Sequence, residues 1–425
     1  MPLQSLSRTL PGRLPFYYGW VVLACVCFAG FSRQGPAVAT LSIFVEPMTS
    51  EFGWSRTALS GAVSLGGLLA AVASPFIGPY LDRRGPRAVL CLAVLSTAAT
   101  TMLLSLTQSL VVFYLLFCFA RMNFAGPYDL GIYGAVSNWF VERRAFAISI
   151  ATLAQMAGLV SLPLIAHFAM QATDWRGGWL AVGATVLVVG FVPTWLFMVR
   201  RPEDVGLVPD GRRSAMPEAE KRRPAEPATT EPAFSRRQAM ATPAFWLLSL
   251  FTLLVYPVQA GVSLHQAPHL IERGLDPTVA ATVVSSFSLV SGLTALALGF
   301  WPRRLPVNLA LALTGVALGV SALSMLAISS AVEAYLAAVF FGIGIGGLIT
   351  MLPLAWANYF GRASFGAIRG AALTVQVLAQ ASGPLLSGVL RDLTGDYVLS
   401  LQCFAGLAFV GAGIALAARA PRAAG

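Results

Sequence analysis

Residues 109–136 read SLVVFYLLFCFARMNFAGPYDLGIYGAV, an apolar stretch that carries two opposite charges, Arg121 and Asp129. The stretch is long enough to cross a bilayer as a helix. A charged side chain at the bilayer centre costs about 2.5–3.5 kcal/mol on insertion scales, so both charges need compensation from a protein interior or a water-filled cleft. The stretch therefore predicts one span of a larger membrane-embedded bundle.

The composition extends this prediction to the whole chain of 425 residues. Of these residues, 57% are hydrophobic and 11% are charged, whereas a soluble domain is about 25% charged. The five cysteines lie in apolar runs and form no CxxC pair, which indicates neither a disulfide framework nor a metal site. The N-terminal arginines precede a long apolar run without a small-residue cleavage site, so we expect a retained first helix.

Charges and turn residues divide the chain into twelve apolar segments. Six of them precede the segment 200–243, which is rich in proline, alanine and charge and cannot bury a core. We therefore predict two domains, 1–199 and 244–425, joined by a flexible cytoplasmic linker. The predicted spans are 17–45, 57–80, 86–107, 110–140, 144–171, 177–199, 244–271, 277–300, 305–328, 332–360, 367–390 and 398–419.

The basic residues predict the orientation. With the N-terminus in the cytoplasm, the loops on that side hold 22 of the 28 basic residues and the opposite loops hold four, while Arg33 and Arg121 lie inside spans. This asymmetry predicts a multi-pass protein of the cell inner membrane with both termini cytoplasmic. The net charge of +10 is spread over many loops, so we expect no nucleic-acid partner.

The two halves of the chain repeat each other at an offset of about 221 residues. Ser55 and Asp276 correspond at this offset, and each is a natural N-cap for the helix that follows. The repeat predicts an all-α polytopic membrane protein with 12 transmembrane helices in two pseudo-symmetric six-helix bundles, with a site between them near the midplane. Further matching positions are Pro36 with Pro257, Pro47 with Pro268, and Gly78 with Gly299.

The loop 78–87, GPYLDRRGPR, resembles the loop between spans 2 and 3 of the major facilitator superfamily, G-x-x-x-D-R-x-G-x-R. Gly78, Asp82, Arg83, Gly85 and Arg87 match this pattern. Four further stretches resemble the branch of monocarboxylate porters and oxalate/formate antiporters. They are FYYGWVVL (16–23), EFGWSRTALS (51–60), NWFVERRAFAISIA (138–151) and YFGRASFGAIRG (359–370).

The resemblance implies a secondary active transporter that works by alternating access. Its expected substrate is a small organic anion such as a monocarboxylate, moved with protons or in exchange for a counter-anion. An exporter of amphipathic metabolites or drugs by proton antiport is the alternative, and a sensor derived from a transporter is a third hypothesis. We expect a monomer in the lipid bilayer, with no enzyme activity, no cofactor and no metal.

The chain departs from this branch where the branch binds its anion. The predicted eighth span has no charge, and the predicted eleventh span has no lysine. Arg33 and Arg121 lie on spans 1 and 4, which line the cavity in this superfamily, and the planar fork of arginine suits a carboxylate. We therefore expect one or both to bind the anion. Alternatively, Arg121 is structural and pairs with Asp129 or with a backbone carbonyl.

The remaining candidate residues are polar groups at mid-depth or at the cytoplasmic ends of spans. Interhelical hydrogen bonding is the alternative for the mid-depth groups. His265 and His269 are four residues apart, and histidine titrates near neutral pH. The predicted substrate-binding residues are Arg33, Arg121, Asn123, Tyr256, Gln155 and Gln380; the proton-coupling residues are Asp129 and His265; the gating residues are Asp82, Arg83, Arg87, Arg143 and Arg144.

Overall fold

The computed structural model describes residues 14–210, 232–301 and 306–421. Every regular element in these ranges is a helix, and twelve helical stretches are long and apolar enough to cross a membrane. The predicted fold class is confirmed. The stretches, numbered here as spans 1 to 12, are Gly19–Phe52, Arg56–Arg84, Pro86–Leu106, Leu110–Trp139, Arg144–Ala172, Trp175–Phe197, Pro243–Glu272, Pro277–Gly299, Val307–Leu326, Ala331–Phe360, Phe365–Thr394 and Val398–Ala417.

Polar side chains cap the N-termini of several spans. The Ser55 side chain accepts a hydrogen bond from the backbone N–H of Ala58, and the Asp276 side chain accepts one from Thr278. Both residues are therefore the N-caps that the sequence predicts. Ser109, Asp174 and Thr242 cap spans 4, 6 and 7 in the same way.

Spans 1 and 4 are interrupted where the sequence places proline and glycine. Span 1 consists of Gly19–Arg33 and Val38–Phe52, with the break around Pro36, and span 4 consists of Leu110–Ala125 and Pro127–Trp139, with the break at Gly126. Proline cannot donate the helical hydrogen bond and clashes with the preceding turn. The first predicted span was too short, since the second helix of span 1 continues past residue 45 to Phe52.

The chain forms two compact units. Unit 1 comprises the described residues of Met1–Ala233 together with Gly361–Thr374, and unit 2 comprises Phe234–Phe360 and Val375–Gly425 as far as they are described. The first turns of span 11 thus belong to unit 1. Of the predicted linker 200–243, residues 211–231 lie outside the described residues, and the described ends carry the short helices Pro202–Val205 and Arg236–Met240.

Glycines bring span 2 close to the start of span 11 within unit 1. A Cβ atom added to Gly78 would collide with the carbonyl oxygen of Gly366, and one added to Gly370 would collide with that of Ser74. Only glycine permits two backbones to approach this closely. The first residue of the sequence motif 78–87 is therefore a packing position.

Candidate functional site

Arg33 ends the first helix of span 1, directly before the break around Pro36. Its Nε donates to the carbonyl of Phe124 at 2.9 Å, and one terminal nitrogen donates to Oε1 of Gln155 at 2.9 Å. Its other terminal nitrogen lies 3.8 Å from Oδ2 of Asp129. Arg33 therefore connects the two helices of span 4 with span 5, and its side chain is only 12% exposed.

Arg121 lies beside Arg33 but has different partners. Its guanidinium lies over the ring of Phe124 at 4.1 Å from the centroid, and that of Arg33 lies over the same ring at 4.6 Å. One terminal nitrogen of Arg121 donates to the carbonyl of Pro36 at 3.4 Å, a long hydrogen bond. Its buried Nε has no hydrogen-bond partner, and no ion pair to Arg121 is present among the described residues.

Asp129 forms ion pairs with two arginines, neither of which is Arg121. Oδ1 of Asp129 lies 3.2 Å from a terminal nitrogen of Arg369, and Oδ2 lies 3.8 Å from Arg33. Asp129 is 4% exposed and begins the second helix of span 4, where its charge also complements the helix dipole. Of the two structural roles that the sequence leaves open for Arg121, the geometry shows the carbonyl contact and not the pair with Asp129.

Arg369 is the residue of this cluster that sequence reasoning missed. It is 1% exposed and lies in the first turns of span 11, inside unit 1. The count of 22 basic residues in the cytoplasmic loops includes Arg369, although the predicted boundaries 367–390 place it inside a span. A lone arginine among small residues, GAIRGAAL (366–373), is the signal that would have identified it.

The other predicted substrate-binding residues are dispersed over the two units. In unit 1, the amide nitrogen of Asn123 donates to the hydroxyls of Ser96 at 2.9 Å and Thr97 at 3.2 Å, which ties span 4 to span 3. In unit 2, Gln380 donates to the side-chain oxygen of Gln259 at 3.2 Å. Tyr256 is buried in span 7, also in unit 2. Within unit 1, only Gln155 joins the arginine cluster, through Arg33.

Asp82, the acidic member of the predicted gating residues, binds backbone groups. Both carboxylate oxygens of Asp82 accept backbone N–H groups at the start of span 11, from Gly366 and Ala367, each at 2.8 Å. Arg83 is exposed. The remaining three contact backbone or aromatic groups: Arg87 donates to the carbonyl of Trp195, Arg143 lies over the ring of Trp20, and buried Arg144 donates to the carbonyls of Phe140 and Ser137.

The histidine pair lies in unit 2, near the end of span 7. His265 contacts the hydroxyl of Tyr397 through Nδ1 and the carbonyl of Pro384 through Nε2, both at 3.3 Å. His269 contacts the carbonyl of Met325 through Nε2 at 2.9 Å. Within the described ranges, no group of three metal-ligating side chains of the His, Cys, Asp or Glu type is present.

Twelve helices long and apolar enough to cross a membrane, with buried charges in their spans, are the features of a multi-pass membrane protein. The family model of the Major Facilitator Superfamily matches residues 22–384, and the chain belongs to this superfamily. It is 27% identical to monocarboxylate transporter 11 of Mus musculus over 397 residues, which are 90% of this chain and 83% of that protein. The predicted superfamily is confirmed, and monocarboxylate transporters are among the relatives that the chain resembles.

Other similar proteins match over only part of their length or have low sequence identity. The membrane sensor protein UhpC of Salmonella typhimurium is 28% identical over 265 residues, so the match spans 60% of this chain and only 58% of that relative. The human organic anion transporter MFSD10 superposes with a TM-score of 0.68 at 15% identity, over 93% of this chain and 99% of that one. The proton:xylose symporter XylE gives 0.70 at 14% identity, over 93% and 94%. At such identities these two structures show the fold alone.

Proposed function

We propose that the chain carries a small organic anion, with a monocarboxylate as the first candidate, by alternating access across the membrane. The proposal rests on the contacts of the Arg121 side chain. Its guanidinium is held by a ring and one long carbonyl contact, without a carboxylate among the described residues. A buried cation without an anionic partner is unfavourable. A substrate carboxylate would supply that partner.

The neighbouring Arg33 supports the same assignment. Both guanidiniums lie over the ring of Phe124, so a carboxylate bound beside that ring would have an arginine fork as its partner. Such charge-assisted pairs are short, directional and stronger than neutral hydrogen bonds. The relatives named monocarboxylate transporters agree with a substrate of this charge and size.

Asp129 provides a route for proton coupling. Protonation of its carboxylate would remove the charge that Arg33 and Arg369 contact at 3.8 and 3.2 Å. Both arginines would then lose their carboxylate partner at the same time, which links the binding of a proton to a change in the anion site. Exchange against a counter-anion would use the same arginines without this step.

The experiment is thermal unfolding of the purified carrier with a panel of carboxylates, amphipathic drugs and neutral metabolites. A ligand that binds the native state raises the melting point by mass action. We expect a carboxylate to stabilise the wild type, Arg121→Lys to reduce the shift because the fork is lost, and Arg121→Gln to abolish it. Arg176→Gln is the matched control, since Arg176 forms an exposed pair with Glu51 at 2.6 Å.

Three outcomes separate the candidate functions. Equal stabilisation of the wild type and Arg121→Gln by hydrophobic compounds would overturn the anion assignment in favour of an exporter of amphipathic metabolites or drugs. Binding of a carboxylate without uptake into proteoliposomes would favour a sensor, as in the relative UhpC. Uptake of the bound carboxylate supports the carrier, for which we propose a monomer in the inner membrane with cytoplasmic termini.

A further inference from the structure

A small cavity lies in unit 2, near the end of span 7. It has a volume of about 10 Å³, which is room for about one water molecule, and no acidic, lysine or arginine side chain lines it. Its polar lining comes from spans 7 and 11, the turn that follows span 11, and span 12. The polar side chains are His265, Gln266, His269, Ser387, Tyr397 and Ser400.

Gln266 is the residue of this cavity whose side-chain amide lacks hydrogen-bond partners among the described residues. The residue is 1% exposed, and neither its amide nitrogen nor its amide oxygen has a hydrogen-bond partner among the described residues. A buried donor and a buried acceptor without partners are both unfavourable. A polar cavity with room for a water and two to four polar groups around it holds an ordered water. One water between the amide and the neighbouring polar groups would satisfy Gln266.

The contacts of the two histidines fix where each can take up a proton. Nε2 of His265 and Nε2 of His269 both face backbone carbonyls, those of Pro384 and Met325. A carbonyl oxygen only accepts, so both Nε2 atoms carry hydrogen and Nδ1 is the position left for a proton on each ring. Nδ1 of His265 lies 3.3 Å from the hydroxyl of Tyr397. That hydroxyl can donate to the neutral ring or accept from the protonated one.

Tyr397 links the two rings. Its own ring lies 5.2 Å from that of His265 and 5.9 Å from that of His269, measured between centroids. Charged groups lie near this cluster: Glu272 at the end of span 7, Arg273 directly after it, Arg391 and Asp392 on span 11, and Asp396 beside Tyr397. Arg391 pairs with Glu272 at 2.9 Å, so these two charges neutralise each other.

We propose that this cavity is a proton-binding site in which a water held by Gln266 joins His265, His269 and Tyr397, so that the two imidazoles share one proton. A proton taken up on Nδ1 of His265 makes that nitrogen the donor to the Tyr397 oxygen, and the tyrosine hydroxyl then donates its hydrogen bond to the water. When this proton moves on to the tyrosine oxygen, Tyr397 passes its own proton to the water and the water passes one to Nδ1 of His269, so that His265 becomes neutral as His269 becomes charged. The net change is one proton and one positive charge. Only the role of this proton-binding site in proton-coupled transport rests on the proposed function.

The test is a titration of the full-length carrier in nanodiscs, observed by NMR of ring ¹⁵N-labelled histidine. The chain has three histidines, so three sets of ring signals are expected, and His167 serves as the internal control because it lies in unit 1 beside Gln171. In the wild type, we expect the neutral His265 and His269 to carry hydrogen on Nε2. Both should respond to the same first proton.

Three variants test whether His265 and His269 share one proton. His265→Gln should shift the midpoint of His269 by about one pH unit, because two strongly interacting sites titrate as a pair. Gln266→Leu, which replaces the amide by an apolar group of similar size, and Tyr397→Phe, which removes only the hydroxyl, should separate the two titrations. His167 should not change. If His269 keeps its midpoint in all three folded variants, the shared site is wrong.

The result of this histidine titration does not depend on whether the substrate is an organic anion. A shared titration without stabilisation by any carboxylate would support the proton site and contradict the proposed substrate class. Independent titration of the two histidines in a carrier that a carboxylate stabilises would contradict the proton site alone. If a variant fails to fold, the wild-type titration alone tests the proposal. Separate first protonation steps of His265 and His269 in the wild type would overturn it.

Discussion

Arg369 and Asp129 form a buried ion pair, with a terminal nitrogen of Arg369 3.2 Å from Oδ1 of Asp129 and side-chain exposures of 1% and 5%. The pair joins span 11 to the second helix of span 4 within unit 1. Because Arg33 lies 3.8 Å from the other carboxylate oxygen, one acid is shared by two arginines. The loss of that acid therefore affects both of them.

Asp129→Asn is expected to destabilise the carrier strongly. The substitution keeps the shape of the side chain and leaves two arginines without their counter-charge, which costs about 3–5 kcal/mol when a buried pair loses one partner. Chemical unfolding in detergent would measure the loss. The double variant Asp129→Asn, Arg369→Gln should recover part of it, since it removes one of the unpaired charges. Strictly additive losses in this double-mutant cycle would show that the pair contributes no coupling energy.

Gly66 is expected to control the position of Arg121. A Cβ atom at Gly66 would lie 2.6 Å from Cβ of Arg121 and 2.8 Å from its Cγ. Gly66→Ala should therefore displace the arginine stem and reduce the carboxylate-induced rise in melting point at least several-fold. Gly406→Ala is the matched control, because a Cβ there meets nothing within 4 Å. The idea fails if both variants bind the carboxylate like the wild type.

Asp82 is expected to stabilise the start of span 11. Its carboxylate accepts the N–H groups of Gly366 and Ala367, which a helix leaves without partners in its first turn. Asp82→Ala should cost about 0.5–2 kcal/mol, the range for replacing a capping side chain by alanine. Arg83→Gln, a change at an exposed neighbour, should be nearly neutral. Equal melting points for these two variants would contradict the capping role.

The sequence predicted the helices and their weak points because these depend on local properties. Hydrophobic length, N-capping side chains and the positions of Pro36 and Gly126 are all visible within one span. The positions of charges in the chain also identified Arg33, Arg121 and Asp129 as unusual. Each of these predictions needs only the physical cost of a residue in its immediate surroundings.

The pairing of those charges could not be predicted, because it depends on contacts between residues far apart in the chain. Asp129 and Arg369 have six spans between them in the chain, and Asp129 and Arg33 have two. Arg83 and Asp82 are adjacent in sequence, yet the carboxylate is bound by backbone N–H groups of span 11. Spacing within a motif does not contain this information.

Asn123 is expected to stabilise the fold and not to bind the substrate. The residue is 3% exposed, and its amide nitrogen donates to the hydroxyls of Ser96 and Thr97. Asn123→Leu is close in size and removes both hydrogen bonds, so we expect a loss of about 1–3 kcal/mol in the free energy of unfolding. The rise in melting point with a carboxylate should stay that of the wild type.

The control for Asn123→Leu removes a buried hydrogen bond that lies within one span. Thr194→Val removes a buried hydroxyl that donates to the carbonyl of Gly190 within span 6, away from the arginine cluster. It should lower stability less than Asn123→Leu, because the carbonyl of Gly190 is a backbone helix acceptor with a second lone pair. If Asn123→Leu keeps its stability and loses the carboxylate response, Asn123 contacts the substrate directly. The site would then extend from Arg121 toward span 3, and Ser96 and Thr97 would position the amide for the anion.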